Sequence, residues 1–261
     1  MLIRTVTATR YITALREGGS LPGLIEADDD GMYVVKFRGA GQGPKALIAE
    51  LIVGEIARAL GLPFPTQVFV ELDEALGRNE AHDEIKDLLL ASVGLNIGLD
   101  FLPGALAYDP LVAAPLDPQL ASAIVWFDAY TTNVDRTARN TNMLVWHHNV
   151  WLIDHGASLY VHHTWADWQQ RSHTPFVQIK DHVLLPQATL LADVDAALAA
   201  QVTPDLIDGI LVLIPETWLE AEPRPGDSDA TRAAYREYLL GRLAAPRLFV
   251  EEAIRARSLA V

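Results

Sequence analysis

Cysteine is absent from the 261 residues, which removes disulfides, thiolate metal clusters and cysteine nucleophiles and fits a reducing compartment. Basic residues are scarce. Twenty Lys and Arg against 34 Asp and Glu leave a formal charge of −14, so attraction to a polyanion would have to overcome the field of the whole chain. Nucleic acid is therefore not an expected partner. Long apolar runs are missing as well: none approaches the roughly 20 residues that span a bilayer. The opening MLIRTVTATRYITAL has no apolar segment ending in a small-residue cleavage site. The expectation is a soluble, cytoplasmic protein with no membrane partner. What the chain has in quantity is apolar material, 50% of its residues, enough for one large domain or two lobes sharing a cleft.

Short β-branched runs dominate the first third. Leu2 to Leu15 reads as a strand that breaks at Gly18, Gly19, Ser20, Pro22 and Gly23, and the turn Asp28-Asp29-Asp30-Gly31 leads into the strand Met32 to Phe37. That strand carries one lysine, Lys36, whose burial needs an explanation. Pro44 and Gly61 bracket a helix from Lys45 to Leu60, with Leu47, Leu51 and Leu60 at helical spacing. Thr66 to Leu72 reads as a strand, Glu80 to Ala91 as a helix, and Gly94 to Phe101 as a strand weakened by Asn96 and Gly98. The Ala/Pro-rich stretch from Ala105 to Pro118 reads as a connection. After it come a helix from Gln119 to Tyr130, a polar loop from Thr131 to Asn142, and a hairpin of Met143 to Trp146 with Val150 to Ile153. Helices are predicted over 188–200, 204–214, 229–243 and 249–257. The fold class is α+β: a small β-rich N-lobe with one main helix over 1–104, then a mostly helical C-lobe over 105–261.

The chemistry-bearing residues fall at strand ends and in the loops beside them, where a rigid scaffold can hold them. Asp135 and Asn140 lie in the loop before the hairpin, and Asp154 follows the hairpin, so an Asp, an Asn and a second Asp return to one end of it. Such a set offers oxygen ligands to a hard ion such as Mg²⁺ and leaves a carboxylate to orient an attacking hydroxyl. Lys36 can supply a cation for phosphates, Gly18-Gly19-Ser20 backbone N–H groups, and Glu50 a carboxylate to hold the lysine. Asn142 competes with Asn140 for the metal role, and Asp135 with Arg136 and Arg139 can also be read as a salt-bridged loop. Asp128, on the helix before the loop, can brace that loop or face solvent. His155 suits a hydrogen bond beside a metal ligand better than coordination of a hard ion. His162, His163, His173 and His182 match no zinc spacing. Trp126, Trp146, Trp151, Trp165 and Trp168 suit packing.

The order of glycine turn, strand lysine, helix glutamate, Asp-x-x-x-x-Asn loop and strand-end Asp-x-Gly resembles the protein-kinase-like superfamily. Lys36-Phe37-Arg38-Gly39, Lys45-Ala46-Leu47, Ala59-Leu60-Gly61-Leu62-Pro63, Asn133-Val134-Asp135-Arg136 and Leu152-Ile153-Asp154-His155-Gly156 resemble a compact bacterial branch of the HipA-like kinases, over roughly residues 10–160. The resemblance implies a bilobal protein-kinase-like fold with ATP and Mg²⁺ as cofactors. Lys36 would contact the α and β phosphates, Glu50 would pair with it, Asp135 would be the catalytic aspartate, and Asn140 and Asp154 would bind magnesium. Adenine would lie near Asp100, Phe101 and Leu102. The implied reaction is phosphoryl transfer to a hydroxyl acceptor, Ser or Thr of a protein, with a small-molecule acceptor as the runner-up. His155 between Asp154 and Gly156, and the want of a strict Gly-x-Gly-x-x-Gly, depart from the kinase pattern. A noncatalytic nucleotide-binding regulatory protein with a protein partner is the alternative class.

Overall fold

The computed structural model describes residues 2–15, 21–41, 43–78, 80–221 and 223–260. Five strands close into a barrel: β1 (Thr5–Ala14), β2 (Gly23–Ala27), β3 (Met32–Lys36), β4 (Gln67–Leu72) and β5 (Gly94–Asp100), in the order β1-β2-β3-β5-β4. All neighbours are antiparallel except β4 and β1, whose parallel pairing closes the ring. The alternation that marks a half-buried strand is plain at the start of β1, where Val6 and Ala8 are buried and Thr5, Thr7 and Thr9 face outward. The β2–β3 turn is an Asx turn, with Asp29 Oδ1 accepting from the Gly31 N–H at 3.0 Å.

Asn96 and Gly98 belong inside β5 for separate reasons. The Asn96 amide is buried and donates to the carbonyls of Ser92 and Gly94 while accepting from the Arg38 N–H. A Cβ at Gly98 would sit 2.8 Å from Val70 Cγ2, so only glycine lets β4 and β5 close over the barrel core.

The main helix of this lobe, α1 (Gly43–Ala59), is buried along nearly its whole circumference from Lys45 to Ala57 because it runs between the barrel and helices of the second lobe. Gly43, its first residue, is at positive φ, and Gly61, also at positive φ, follows its end. The helix predicted over 80–91 is shorter, α3 (Asp83–Ala91), and a one-turn helix α2 (Glu74–Arg78) precedes it. Gly77 lies against Leu90, which is how the two pack.

The second lobe is built round α4 (Pro118–Thr131). Its N-cap Asp117 accepts from the N–H groups of Gln119 and Leu120. Every residue from Ala121 to Thr131 is buried. At its C-terminal end the buried Arg242 guanidinium donates to the carbonyls of Tyr130 and Ala129 at 2.6 and 2.7 Å, satisfying two orphan acceptors. The hairpin β7 (Met143–Trp146) and β8 (Asn149–Leu152) gains a two-residue strand, β6 (Leu106–Ala107), from the predicted connection. After α5 (Trp168–Ser172) come α6 (Leu191–Gln201), α7 (Pro204–Leu211), α8 (Glu216–Leu219), α9 (Ser228–Leu243) and α10 (Leu248–Ala260). The start predicted for α6 at 188 falls three residues early, because Leu185–Gln187 winds as a separate 3₁₀ turn.

The link between the lobes is tied at both ends. The Phe101 N–H bonds to the Met32 carbonyl on the barrel side, and the Tyr108 N–H bonds to the Met143 carbonyl on the other. Between these, Trp146 Nε1 donates to the Pro103 carbonyl at 3.0 Å. No helix of the described residues is long and apolar enough to cross a membrane.

Candidate active site

Lys36 ends β3 on the face turned away from the barrel core, and Glu50 lies at the middle of α1; both are buried. Their side chains meet at 2.7 Å, and the same ammonium reaches Asp154 Oδ1 at 2.5 Å. Burial alone would lower the lysine, but the Glu50 and Asp154 charges outweigh it and hold the ammonium above the ordinary range. Burial alone would raise the Glu50 carboxyl. The Lys36 charge, with His155 beside it, outweighs that too, and it lies lowered to about 2.

Asp154 comes from the second lobe. It follows β8 at positive φ, and the Ile153 N–H just before it bonds to the Asn142 carbonyl at 3.0 Å, so the loop before the hairpin and the residue after it are fastened together. Gly156 lies beside this pair: a Cβ there would sit in ordinary van der Waals contact, 3.4 Å from Lys36 Nζ and 3.6 Å from Asp154 Oδ1.

In the polar loop, Asp135 Oδ2 accepts from Asn140 Nδ2 at 2.7 Å and from Asn142 Nδ2 at 3.3 Å, so both candidate asparagines orient one carboxylate. The Asp135 N–H donates to Asn133 Oδ1 at 3.1 Å. The loop is held from below by Arg136, which is fully buried and does not pair with its neighbour Asp135. Its Nε donates to Asp128 Oδ2 at 2.6 Å, and its Nη1 donates to the Asn142 carbonyl. Asp128 also takes His182 Nε2 at 2.9 Å and Asn133 Nδ2 at 2.9 Å. The Leu184 N–H donates to His182 Nδ1, which places that ring's proton on the Nε2 that faces Asp128.

His155 joins the two halves of the site. Its N–H donates to Glu50 Oε2 at 2.7 Å, and its ring Nε2 lies 3.1 Å from Arg136 Nη2. A continuous polar path therefore runs Lys36, Glu50, His155, Arg136, Asp128, His182, from the barrel into the second lobe.

Asp100, Phe101 and Leu102 line one cleft of about 400 Å³ with Met32, Pro65, Thr66, Pro103, Trp146 and Trp151. Gly18, Gly19 and Ser20 lie outside the described residues. Of the weighed residues, Asp128 is buried rather than solvent-facing, and Trp146 and Trp151 border the cleft as well as packing on each other. His182 enters through Asp128, a role its sequence neighbours do not announce. Asp128 had a readable signal: it is the lone charge in the run Ala-Ile-Val-Trp-Phe-Asp-Ala-Tyr, a helix with no polar face to carry it.

No group of three or more His, Asp and Glu suited to hold a metal exists among the described residues, and His162 instead bonds Tyr235 Oη through Nδ1 at 2.8 Å. A hard ion shared with nucleotide phosphates asks only one or two carboxylate or amide oxygens of the protein, and Asp154 and Asn140 are residues of that chemical kind. Asp154 fits through the oxygen that Lys36 does not take, on a side chain 35% exposed.

A family model described as HipA-like kinase matches residues 9–249. Among solved structures, that of the Helicobacter pylori proinflammatory kinase CtkA is similar with a TM-score of 0.60 at 13% identity, covering 97% of this chain and 99% of that one. Two structures of the Golgi casein kinase, one with Mn/ADP bound, give TM-scores of 0.49 at 13% identity and cover 95% and 98% of this chain and 74% of theirs. No curated protein matches.

Proposed function

We propose that this chain, which belongs to the HipA-like kinase family, transfers the terminal phosphoryl group of ATP to a hydroxyl, Ser or Thr of a protein being the favoured acceptor. The observation that carries the reading is Lys36, buried yet charged, held by Glu50 on one side and by Asp154 of the other lobe on the other. A buried ammonium is costly unless it has a task that needs its charge and partners that keep it.

In this reading Lys36 positions the α and β phosphates, while Glu50 fixes where its ammonium points. Asp135 accepts a hydrogen bond from the acceptor hydroxyl; Asn140 and Asn142 hold that carboxylate in one orientation. Asp154 and Asn140 would hold Mg²⁺, which when bound neutralises charge on the phosphates. Asp100, Phe101 and Leu102 bound the adenine side, and Gly18, Gly19 and Ser20 supply N–H groups to the phosphates. The lobes divide at 104/105. Catalysis in such a site is mostly positioning and electrostatics, so loss of one oriented group is felt in rate before it is felt in fold.

The test is calorimetry of ATP with and without Mg²⁺, together with transfer of labelled phosphate to a Ser/Thr peptide library. Asp154→Ala is expected to remove magnesium-dependent binding. Asp135→Asn is expected to keep nucleotide affinity within about threefold and to lower transfer by a hundredfold or more. Transfer by Asp154→Ala at the parental rate would overturn the assignment. Binding with no transfer to any acceptor, the protein itself included, would move the chain to the nucleotide-dependent regulatory class.

A further inference from the structure

We infer that the His155 ring is a positioning group, built to accept a hydrogen bond from Arg136 and to give one to Glu50, so that one imidazole sets both the phosphate-binding lysine and the loop of Asp135. The inference rests on the kinase reading above.

Arginine has donors and no acceptor, so Nη2 at 3.1 Å makes Nε2 of His155 the acceptor nitrogen. In the neutral ring the proton then sits on Nδ1. That nitrogen is buried and, among the described residues, has no hydrogen-bond partner, and neither has Glu50 Oε1. The two lie 3.9 Å apart, each on a fully buried side chain. A donor and a carboxylate oxygen thus face one another across about one ångström more than a hydrogen bond spans. Leaving both unmade is unfavourable, and an approach of about one ångström makes the bond. The ring itself is held in place by the edges and faces of Phe64 and Phe127, at centroid distances of 5.1 and 5.5 Å.

Lys36 divides its hydrogen bonds between Glu50 and Asp154. A ligand that engages Asp154 leaves Glu50 as the lysine's carboxylate, and the Nδ1–H of His155 then fixes the second oxygen of that carboxylate. Arg136 transmits the same ring position to the Asn142 carbonyl and so to the hydrogen bonds around Asp135. Phenylalanine would fill the same apolar slot and supply neither bond.

The first measurement is ¹⁵N NMR of histidine-labelled protein, which reports the tautomer without reference to activity. The expected spectrum has His155 as the Nδ1–H form, with that proton moving downfield on addition of the nonhydrolysable ATP analogue AMP-PNP with Mg²⁺. The second is kinetics of His155→Phe and His155→Asn, with autophosphorylation and the Ser/Thr peptide library as acceptors. His155→Phe is expected to keep AMP-PNP affinity within about threefold and to lower kcat tenfold or more; His155→Asn, which keeps a donor near the Nδ1 position, recovers at least threefold of that loss. An Nε2–H tautomer, or a His155→Phe enzyme with parental kcat, overturns the inference. Should the Phe variant not fold, a His155→Asn enzyme with less than a thirtieth of parental kcat overturns it as well. A parent protein that transfers no phosphate overturns the kinase reading and the role with it, while the tautomer is still decided by the spectrum, so the two failures are told apart.

Discussion

Replacing Asp128 with Asn keeps the shape of the side chain and removes the charge on which the buried loop anchor depends. The carboxylate takes Arg136 Nε at 2.6 Å and His182 Nε2 at 2.9 Å on one oxygen and Asn133 Nδ2 at 2.9 Å on the other. An asparagine turned either way sets its amide donors against at least one of these donors. The Arg136 guanidinium is fully buried and pairs with no other carboxylate among the described residues, so the substitution leaves a buried cation uncompensated. Breaking one side of a buried pair costs about 3–5 kcal/mol, and at about 2–4 °C per kcal/mol for a chain of this size the expected fall in Tm is roughly 6–20 °C. Burial alone would raise the Asp128 carboxyl, but Arg136 and His182 hold it well below the ordinary range, so the deficit is present at every pH at which the parent is folded. The assay is thermal and urea denaturation of Asp128→Asn, and of the cycle of Asp128→Leu, Arg136→Met and the pair Asp128→Leu with Arg136→Met. The apolar pair is expected to lose less than the two single losses summed, by about 2 kcal/mol or more, because it removes both charges together. A Tm within about 2 °C of the parent, or strict additivity, would refute the reasoning.

Two further outcomes follow from the same geometry. Glu50 is lowered from the ordinary carboxyl range to about 2, so its ion pair contributes stability that is complete above about pH 5 and is lost as pH falls toward 2, on the order of 3 kcal/mol in all; the stability gap between the parent and Glu50→Gln should therefore narrow across that window, and a constant gap in urea titrations would contradict it. Gly98→Ala places a methyl 2.8 Å from Val70 Cγ2 and 3.3 Å from Val68 Cγ2 and Tyr33 Cβ. Because the valines are stiff at χ1, about 1–3 kcal/mol of destabilisation is expected, and an unchanged urea midpoint would show that the barrel gives way.

The elements punctuated by turn residues are legible in the sequence. Pro44 and Gly61 bracket α1 near its observed ends, and the hairpin around Asn149 stands where alternation and the His147-His148 break put it. What the pattern could not show was the consequence of tertiary closeness. The pairing of Thr137 with His182 and the Val183 N–H bond to the Arg136 carbonyl join segments more than forty residues apart, and nothing local in either announces the other. The same holds for β6, two exposed residues whose strand character exists only because β7 lies beside them. Lys36 and Glu50 were legible as a pair because a charge in a buried strand must be answered. The partners of Arg136 were not, since the acidic neighbour in sequence, Asp135, is not the one that holds it.

The link between the lobes bears on how the cleft can open. Its first residue is stitched to the barrel by the Phe101 N–H and its last into the second sheet by β6, leaving residues 102–105 as the stretch where backbone torsions are not set by either sheet, and even there the Trp146 indole grips the Pro103 carbonyl. A link so short, itself closed by the Ala105 N–H on the Leu102 carbonyl, would permit rotation of the lobes more than sliding, and any such opening would be read first at the Lys36–Asp154 bond that joins them.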